Sequence, residues 1–494
     1  MKKITAIVML VVIVIVSMGL FVACNKNANL GSDFIVPEGG YDGSAVTIKF
    51  SHTMGQKLRK ILDNYIVEFN KIYPNITVVH EQVGGYDEVL SDNNTKLAGG
   101  SENAPNLSYC YSDHVAVYNL SKSVIKLDSL ANSSTINFDG TQVGFTQAQK
   151  EDFIERFYDE GKQFGDGAMY QLPLSRSTEV LYYNKDFFDK YNNTKEESAP
   201  ALAVPTHWWC TEACPADCNS SMEKVCELIK AKDATATPLG YDSEANWFIT
   251  MAAQLGSGYT TLEGNDNFIF VNNQNKEFVK KLREWRQKGY VTTKSINNNS
   301  YTSDLFKVGE VEGTLKSYMC VGSSGGASYQ QPDKVNGEYP FEIGIARLPQ
   351  IDVANPKTIS QGPSLCIFNK KNPQEVMATW LFAKFLTTNR LFQAEFAMES
   401  GYIPVIKSVD ELPIYNDWLG KADGKDFITA YGAKACIENQ DACFTSPAFN
   451  GSSSAREQVG LLLAQCMSAK TNDVNALIDM AFNDAYDKCI YDQQ

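Results

Sequence analysis

Histidine is scarce in this chain: 494 residues contain four, at positions 52, 80, 114 and 207. An α/β-hydrolase needs a histidine that follows its nucleophilic serine in the sequence. The Gly-x-Ser-x-Gly sequence around Ser324 has none after it, which argues against an esterase. The chain also lacks the glycine pattern of dinucleotide-binding folds, the phosphate-binding P-loop and the histidine pair of zinc proteases. Several common enzyme classes are therefore disfavoured.

Basic residues are fewer than acidic ones. The chain has 44 Lys and Arg against 58 Asp and Glu, a formal net charge of -14. Nucleic acids and anionic lipid surfaces would approach such a protein against electrostatic repulsion, so neither is expected as a partner. A hydrophobic content of 44% is that of an ordinary globular protein. The length allows two or three domains.

A long apolar run occurs only near the start, from Ile4 to about Val16. It follows two lysines and is short for a membrane span, which is typical of a secretory signal. Val-Ala-Cys at 22–24 is similar to the end of a bacterial lipobox, so we predict a signal peptide at 1–24 and a palmitate-bearing, diacylated Cys24. The lipid would hold the protein on the outer face of a cytoplasmic membrane, extracellular or periplasmic, through a polar tether at 25–44. A plain signal peptide with an unmodified cysteine is the alternative.

Cysteine is unevenly distributed. If Cys24 carries lipid, eleven of the 12 cysteines remain, and an odd number cannot all be paired. Four lie close together, at Cys210, Cys214, Cys218 and Cys226. Spacings of four would suit a metal on one helix face, but Pro215 interrupts such a helix and no familiar zinc spacing is present. We therefore expect disulfides in an exported surface loop, and no metal or cofactor.

Strand-like and helix-like hydrophobic periodicities alternate along the chain, which favours α/β layers. Two polar stretches, 191–221 and 295–303, are interpreted as insertions. The predicted elements are strand 46–50, helix 58–72, strand 76–80, helix 86–97, strand 107–111, strand 179–183, helix 373–386 and helix 391–398.

Seven short segments stand out in order: FSHTMG at 50–55, GGYD at 84–87, NAP at 103–105, LPLSRST at 172–178 running into LYYNKD at 181–186, GSSG at 322–325, GPS at 362–364 and SGYIPV at 400–405. Taken together they resemble the extracellular solute-binding proteins of bacterial ABC importers. The likeness is to the carbohydrate group, which includes the maltose-binding and glycerol-phosphate-binding proteins. It covers the chain from about Val46 to its end.

The resemblance implies a two-lobed α/β fold of the type II periplasmic-binding-protein kind, in which each lobe is a mixed sheet flanked by helices. Hinge crossings join the lobes, which close over a ligand. It implies an N-terminal lobe at 45–175 and 363–408, and a C-terminal lobe at 176–362 and 409–494.

Motif matching to the family implies ligand contacts at Tyr86, Ser112 or the adjacent Asp113, Ser177, Ser323, Gly362, Tyr402 and Arg456. Residue chemistry adds Arg176 as a cation and Trp247 as an aromatic face. Hydroxyls and carboxylates suit the hydroxyl groups of sugars, aromatic rings cover their apolar faces, and cations suit phosphate. The alternatives are that Tyr402 packs a turn, Trp247 lies in a core and Arg456 is solvated.

The sequence therefore predicts a lipid-anchored, monomeric substrate-binding protein that delivers a sugar or sugar-like solute to the permease subunits of an ABC transporter. A glycerol-phosphate-type ligand is the alternative in the same role. We favour the neutral sugar, because Asp113 in the same cleft would repel a phosphate. A surface glycoside hydrolase is the alternative from another class, since paired carboxylates cannot be recognised without geometry.

Overall fold

The computed structural model describes residues 31–211 and 214–493. The predicted signal peptide and Cys24 lie outside the described residues. Within the described ranges, no helix combines the length and the apolarity needed to cross a lipid bilayer.

The strands of the described chain are β1 Val46–His52, β2 Ile76–Gln82, β3 Leu107–Cys110, β4 Leu172–Pro173, β5 Ser177–Asn184, β6 Leu239–Tyr241, β7 Val291–Thr293, β8 Met319–Ser323, β9 Ile343–Arg347, β10 Thr358–Gln361, β11 Ser364–Ile367 and β12 Cys443–Phe444.

The α-helices are α1 Gln56–Ile72, α2 Tyr86–Ala98, α3 Ser112–Tyr118, α4 Asp128–Ala131, α5 Gln147–Asp152, α6 Glu155–Asp159, α7 Lys185–Thr194, α8 Met222–Lys232, α9 Glu244–Leu255, α10 Asn273–Gln287, α11 Ser303–Phe306, α12 Ala327–Gln330, α13 Pro373–Thr388, α14 Arg390–Ser400, α15 Pro413–Leu419, α16 Ile428–Asn439, α17 Ser452–Ser468 and α18 Val474–Gln493. Short 3₁₀ turns occur at Ser101–Asn103, Asn119–Ser121, Glu160–Lys162, Ser324–Gly326, Lys407–Glu411 and Gln440–Ala442.

The first sheet has the strand order β2-β1-β3-β11-β4. β1 runs parallel to β2 and β3, whereas β11 is antiparallel to β3 and β4. Between β1 and β2, α1 buries Leu62, Tyr65 and Phe69, which recur at helical spacing. The strand-helix-strand opening predicted from the sequence is confirmed.

The second sheet has the order β12-β10-β5-β8-β6-β7, and β9 also pairs with β5. β5 is its centre: it is antiparallel to β8, β9 and β10, and Tyr183 is its only residue that is not buried. Leu181 faces one apolar cluster while Val180 and Tyr182 face another. Because both faces are covered, the middle of β5, residues 180–183, is an unbroken apolar run.

Each sheet has its own hydrophobic core. In the first, the Phe50 ring packs edge-on against Phe382 of α13, which is far downstream in the chain. The second core is built around Trp208, Trp247 and Trp285. The molecule is therefore two-lobed. Tyr415 of α15 belongs to the first core, whereas the resemblance implied that residues from 409 onward lie in the C-terminal lobe.

The chain passes between the sheets at residues 174–176 and again at 361–363, and both passages are tied to neighbouring backbone. The Arg176 N–H donates to the Ile403 carbonyl at 3.0 Å and the Ile403 N–H donates back at 2.7 Å. Gly362 has φ of 119°, and a Cβ there would lie 2.4 Å from the Ser175 carbonyl oxygen. Only glycine fits this crossing without strain.

The described part of the predicted tether lies on the first lobe. The Ser32 N–H donates to the Val124 carbonyl at 2.9 Å. The Tyr41 side chain is fully buried and packs edge-on against Tyr73 and Phe138. Residues 31–44 are therefore bound to the lobe rather than being a free linker, because Tyr41 fills a core position.

Candidate ligand-binding cleft

A cavity of about 750 Å³, counting space open to solvent, lies between the two lobes. Arg176 and Gly362 line it from the two crossings. The first lobe contributes Tyr111, Ser112, Asp113, Glu160, Gln171 and Ser364. The second lobe contributes Ile249, Tyr259, Ile359, Ser360, Gln361, Thr445, Ser446, Pro447, Ser452 and Arg456.

Besides Glu160 and Arg176, the cleft carries one acidic and one basic side chain, Asp113 and Arg456, and both act on the same tyrosine, Tyr259. Asp113 comes from the first turn of α3, and Arg456 comes from the beginning of α17 on the other lobe. Among the described residues neither forms a salt bridge; Asp113 accepts the His114 N–H at 3.1 Å. Burial raises the pKa of Tyr259, the Arg456 charge lowers it and the Asp113 charge raises it. A bound solute would therefore meet a carboxylate from one lobe and a guanidinium from the other.

Three tyrosines, Tyr86, Tyr111 and Tyr402, form what we call the aromatic wall. The rings of Tyr86 and Tyr111 stack with centroids 4.3 Å apart. The Tyr402 ring packs on the second lobe, since a Cβ on Gly325 would lie 2.8 Å from it. Burial raises the pKa of all three hydroxyls, so they are neutral near pH 7 and can donate hydrogen bonds. Tyr111 lines the cavity, whereas Tyr86 and Tyr402 lie outside its lining, so their predicted contacts with a ligand stay predictions.

Arg176 and Glu160 form a buried ion pair at the crossings between the two lobes. The Arg176 guanidinium, which is 2% exposed, donates to Glu160 Oε2 at 2.7 Å and to Ser364 Oγ at 3.0 Å. It also donates to two backbone carbonyls, at Ser175 and Pro363. Glu160 Oε1 accepts the Ser360 hydroxyl at 2.6 Å. The sequence predicted Arg176 as a ligand cation, but most of its donors are used to hold the two crossings together.

Trp247 is not in the cleft, which contradicts its predicted role as a ligand wall. Its ring is fully buried and stacks on Tyr241 with centroids 4.5 Å apart. The reason is that it lies on the face of α9 that packs against the second sheet.

Ser177 and Ser323 lie together at the start of β5 and the end of β8, where the Ser323 hydroxyl donates to Ser177 Oγ at 3.1 Å. Ser177 is only 1% exposed and neither serine lines the cavity. Their role as ligand contacts stays a prediction.

A buried network lies behind Arg456. Glu179 Oε2 accepts the Tyr241 hydroxyl at 2.5 Å, and Oε1 accepts the Asn246 side-chain amide at 2.9 Å. Asn246 Oδ1 in turn accepts from the Arg456 guanidinium. Burial raises the pKa of Glu179 to about 7. The orientation of Arg456 is thus coupled to a titratable group in the core.

Several cleft residues were missed by sequence reasoning. Gln361 lines the cavity, and its buried side-chain oxygen has no hydrogen-bond partner among the described residues. Gln361 directly precedes the predicted ligand contact Gly362, and Tyr111 directly precedes the predicted Ser112. Both could therefore have been proposed from the sequence as neighbours of predicted contacts. Tyr259 and the Thr-Ser-Pro segment at 445–447 carry no such signal, because the tertiary fold alone brings them to the cleft.

The cysteine prediction is contradicted. The eleven cysteines of the described residues are all free. The sulfurs of Cys210, Cys214 and Cys218 lie close to Nε2 of His207, whereas Cys226 is fully buried in the second core. Sequence reasoning missed His207, which stands three residues before Cys210.

A family model described as bacterial extracellular solute-binding protein matches residues 64–422. The sn-glycerol-3-phosphate-binding periplasmic protein UgpB of Salmonella typhimurium is 24% identical over 398 residues, covering 78% of this chain and 80% of the relative. The protein of the same name from Escherichia coli strain K12 is 23% identical over 398 residues, with the same coverage.

Solved structures are similar over nearly the whole chain. UgpB from Mycobacterium tuberculosis in complex with glycerophosphocholine has a TM-score of 0.68 at 18% identity, covering 91% of this chain and 98% of that one. The GacH receptor of Streptomyces glaucescens, solved unliganded and with acarbose, has a TM-score of 0.64 at 16% identity, covering 90% and 99%. These similarities confirm the predicted two-lobed fold class.

Proposed function

The chain belongs to the bacterial extracellular solute-binding proteins, and from that membership we propose that it captures a sugar or a sugar-like polyol outside the membrane. It then delivers the solute to the permease of an ABC transporter. The family and the similar proteins are solute-binding proteins, and nothing in them supports the glycoside hydrolase alternative.

The observation that carries the choice of ligand is a surplus of acceptors in the cleft. Among the described residues, the Gln361 side-chain oxygen is buried without a partner, and Asp113 has only the adjacent backbone N–H. A buried acceptor left unpaired costs about 1–3 kcal/mol, so a ligand that donates hydrogen bonds is favoured. Sugar hydroxyls donate at many positions, whereas in a phosphate ester the ionised phosphate group supplies acceptors only and the donors are limited to the remaining hydroxyls.

The aromatic wall supports the same ligand class. Sugars present apolar C–H faces that pack on tyrosine rings, and Tyr86, Tyr111 and Tyr402 offer such rings together with neutral hydroxyl donors. Since Tyr402 belongs to the first lobe and touches the Gly325 turn of the second, a ligand there would be enclosed when the lobes close.

A glycerol-phosphate-type ligand is the second candidate. Arg456 forms no salt bridge among the described residues, so its guanidinium is available for an anion. The names of the similar UgpB proteins point the same way. The closeness of Asp113 would oppose a phosphate, which is why we place this candidate second.

A thermal-shift screen tests the proposal. The purified protein is heated with neutral sugars, with polyols and with their phosphate esters. A ligand at a hundred times its dissociation constant adds about 2.7 kcal/mol to the free energy of unfolding. We expect the stabilising compounds to be uncharged and to be recovered unchanged. Stabilisation by phosphate esters alone would select the second candidate, and protein-dependent turnover of a sugar would refute a purely binding role.

We further propose that the protein is a monomer held to the membrane by lipid at Cys24 after removal of residues 1–24. Cys24→Ser should release it from the membrane fraction while leaving ligand affinity unchanged, since the residues that line the cleft come from 111–456. Membrane retention of this variant with normal processing would contradict the anchor.

A further inference from the structure

Four metal-ligating side chains converge outside the cleft, in the polar insertion of the second lobe. They are His207, Cys210, Cys214 and Cys218, which we call the Cys₃His cluster, and their ligand atoms all lie within 4.8 Å of one another. His207 Nε2 is 3.8 Å from the sulfur of Cys210, 3.6 Å from that of Cys214 and 3.3 Å from that of Cys218. One nitrogen thus faces three sulfurs across a common centre.

These separations match a single tetrahedral ion. With Zn–S of about 2.3 Å and Zn–N of about 2.0–2.1 Å, a tetrahedral site holds nitrogen and sulfur ligands roughly 3.6 Å apart. The observed distances of 3.3, 3.6 and 3.8 Å bracket that value. An iron–sulfur cluster fits less well, because its thiolates bind different iron atoms and are held further apart.

Disulfide bonding accounts poorly for the same group. Three thiols can form one disulfide and leave one thiol over. The remaining neighbour in sequence, Cys226, is fully buried in the second core and is not a member of the group. A metal uses all three sulfurs and the imidazole at once.

The surroundings of His207 select the nitrogen that would bind the metal. His207 Nδ1 lies 3.1 Å from Thr206 Oγ1, and with Nδ1 protonated the ring presents the lone pair of Nε2 to the three sulfurs. The loop is also pinned at its base. The Thr206 N–H donates to the Ser220 carbonyl at 2.9 Å, and the Met222 N–H donates to the His207 carbonyl at 2.8 Å.

We propose that the Cys₃His cluster binds one Zn²⁺ ion as a closed structural site. On binding, three thiols lose their protons to water and the imidazole stays neutral, so no oxidant or reductant is needed and the metal remains divalent. The ion would fasten the 207–218 loop next to Trp208, whose fully buried indole N–H donates to Gln254 Oε1 at 3.0 Å. Its role is to stabilise the second lobe; the ligands of the cluster do not line the cleft.

The first test is metal content and coordination in the full chain. We expect one zinc per chain after purification in reducing buffer without chelator. Replacement by Co²⁺ should give the visible bands of tetrahedral cobalt with thiolate charge transfer. Less than stoichiometric binding of added Zn²⁺ by the fully reduced chain, or an octahedral cobalt spectrum, would overturn the proposal.

Three variants sharpen the assignment. Removing a residue that hydrogen-bonds to a metal ligand lowers metal affinity roughly 10–100-fold, so Thr206→Val should lower zinc affinity by that factor. Cys214→Ser removes a ligand itself and should lower zinc affinity by more. Cys443→Ser is the matched control: it removes a half-buried thiol outside the cluster and should leave zinc affinity unchanged. Equal affinity in Cys214→Ser and in the control would overturn the assignment.

The oxidation state of the three cysteines in the exported protein distinguishes a metal site from a disulfide. Free thiols are alkylated in acid-quenched cells before and after treatment with a chelator, and the products are identified by mass spectrometry. Three alkylatable thiols at positions 210, 214 and 218 support the metal site. A disulfide joining any two of them in the exported protein would overturn it. This readout needs no variant to fold.

Discussion

The two lobes are both built on mixed sheets flanked by helices, yet they bury titratable groups of opposite kind. The first lobe buries His52, whose Nε2 lies 2.9 Å from His80 Nδ1, while His80 Nε2 lies 2.9 Å from Asp63 Oδ1. The second lobe buries Glu179 between Tyr241 and Asn246.

These groups make the lobes respond to pH in opposite directions. Burial, then the nearby His80 and Arg59 charges, lowers the pKa of His52 to about 3. Burial raises the pKa of Glu179 to about 7. Mild acid should therefore weaken the first lobe and strengthen the second. A hinge protein can accommodate this because each lobe has its own core.

The largest expected effect concerns the second core. Trp247→Ala should lower the free energy of unfolding by about 3–5 kcal/mol, because it empties a fully buried ring site. Tyr111→Ala, in the cleft, should cost ligand affinity and less stability. Denaturant titration and calorimetric binding separate the two. A stable Trp247→Ala variant with lost binding would restore the predicted ligand wall.

Acid should act on the first lobe through His52. Its folded pKa is below the unfolded value of 6.5, so the stability it contributes is present above pH 6.5 and is lost as pH falls towards about 3. At about 1.4 kcal/mol per unit, the loss approaches roughly 3 kcal/mol by about pH 4. Hydrogen exchange of β1 peptides measures it.

The matched variant for this prediction is His52→Asn. It keeps an acceptor for the Met54 N–H, which donates to His52 Nδ1 at 3.1 Å. It should flatten the acid response of β1. An unchanged response would assign the acid sensitivity to other groups.

Glu179 should make the stability of the second lobe change with pH in the opposite direction. Its folded pKa is about 7 against 4.5 in the unfolded chain, so its folded form holds the proton more tightly. The stability it contributes is full below pH 4.5 and declines as pH rises to 7, by about 3 kcal/mol. Exchange of β5 peptides in the protein and in Glu179→Gln tests this. The same slope in both proteins would be inconsistent with the assignment.

The smallest effects are expected in the cleft, where Asp113 and Arg456 come from different lobes. For a neutral sugar, Tyr402→Ala should weaken binding by about 1–3 kcal/mol and Arg456→Ala by less. A phosphate ester would reverse the order, with Arg456→Ala costing roughly 2–5 kcal/mol. Arg390→Ala, at a surface ion pair with Glu411, is the control for net charge. Calorimetric titration of the three variants gives the ranking.

Hydrophobic periodicity predicted the helices and strands well where one face of the element is buried and the other is exposed. The helix predicted at 58–72 is observed at Gln56–Ile72, and the strand predicted at 76–80 is observed at Ile76–Gln82. In such elements the alternation of apolar and polar residues directly reports which face is covered.

The cleft was harder to predict from the sequence. Asp113 and Arg456 were found because their positions match family motifs, and the structure brings both to the cavity. Trp247 was misplaced, since an aromatic residue has the same appearance in a core and in a cleft wall. The arrangement of His207 with three cysteines depends on loop folding, which spacing alone does not determine.

The interleaving of the lobes sets an order for biosynthesis. β1 and β3 are made early, but β11, which completes the pairing of β3 in the first sheet, begins 254 residues after the end of β3, after most of the second lobe. The second lobe must in turn wait for α18, whose Phe482 packs into its core. The second lobe therefore cannot finish folding until the last helix has been made, whereas the buried residues of the first core are complete at Cys436.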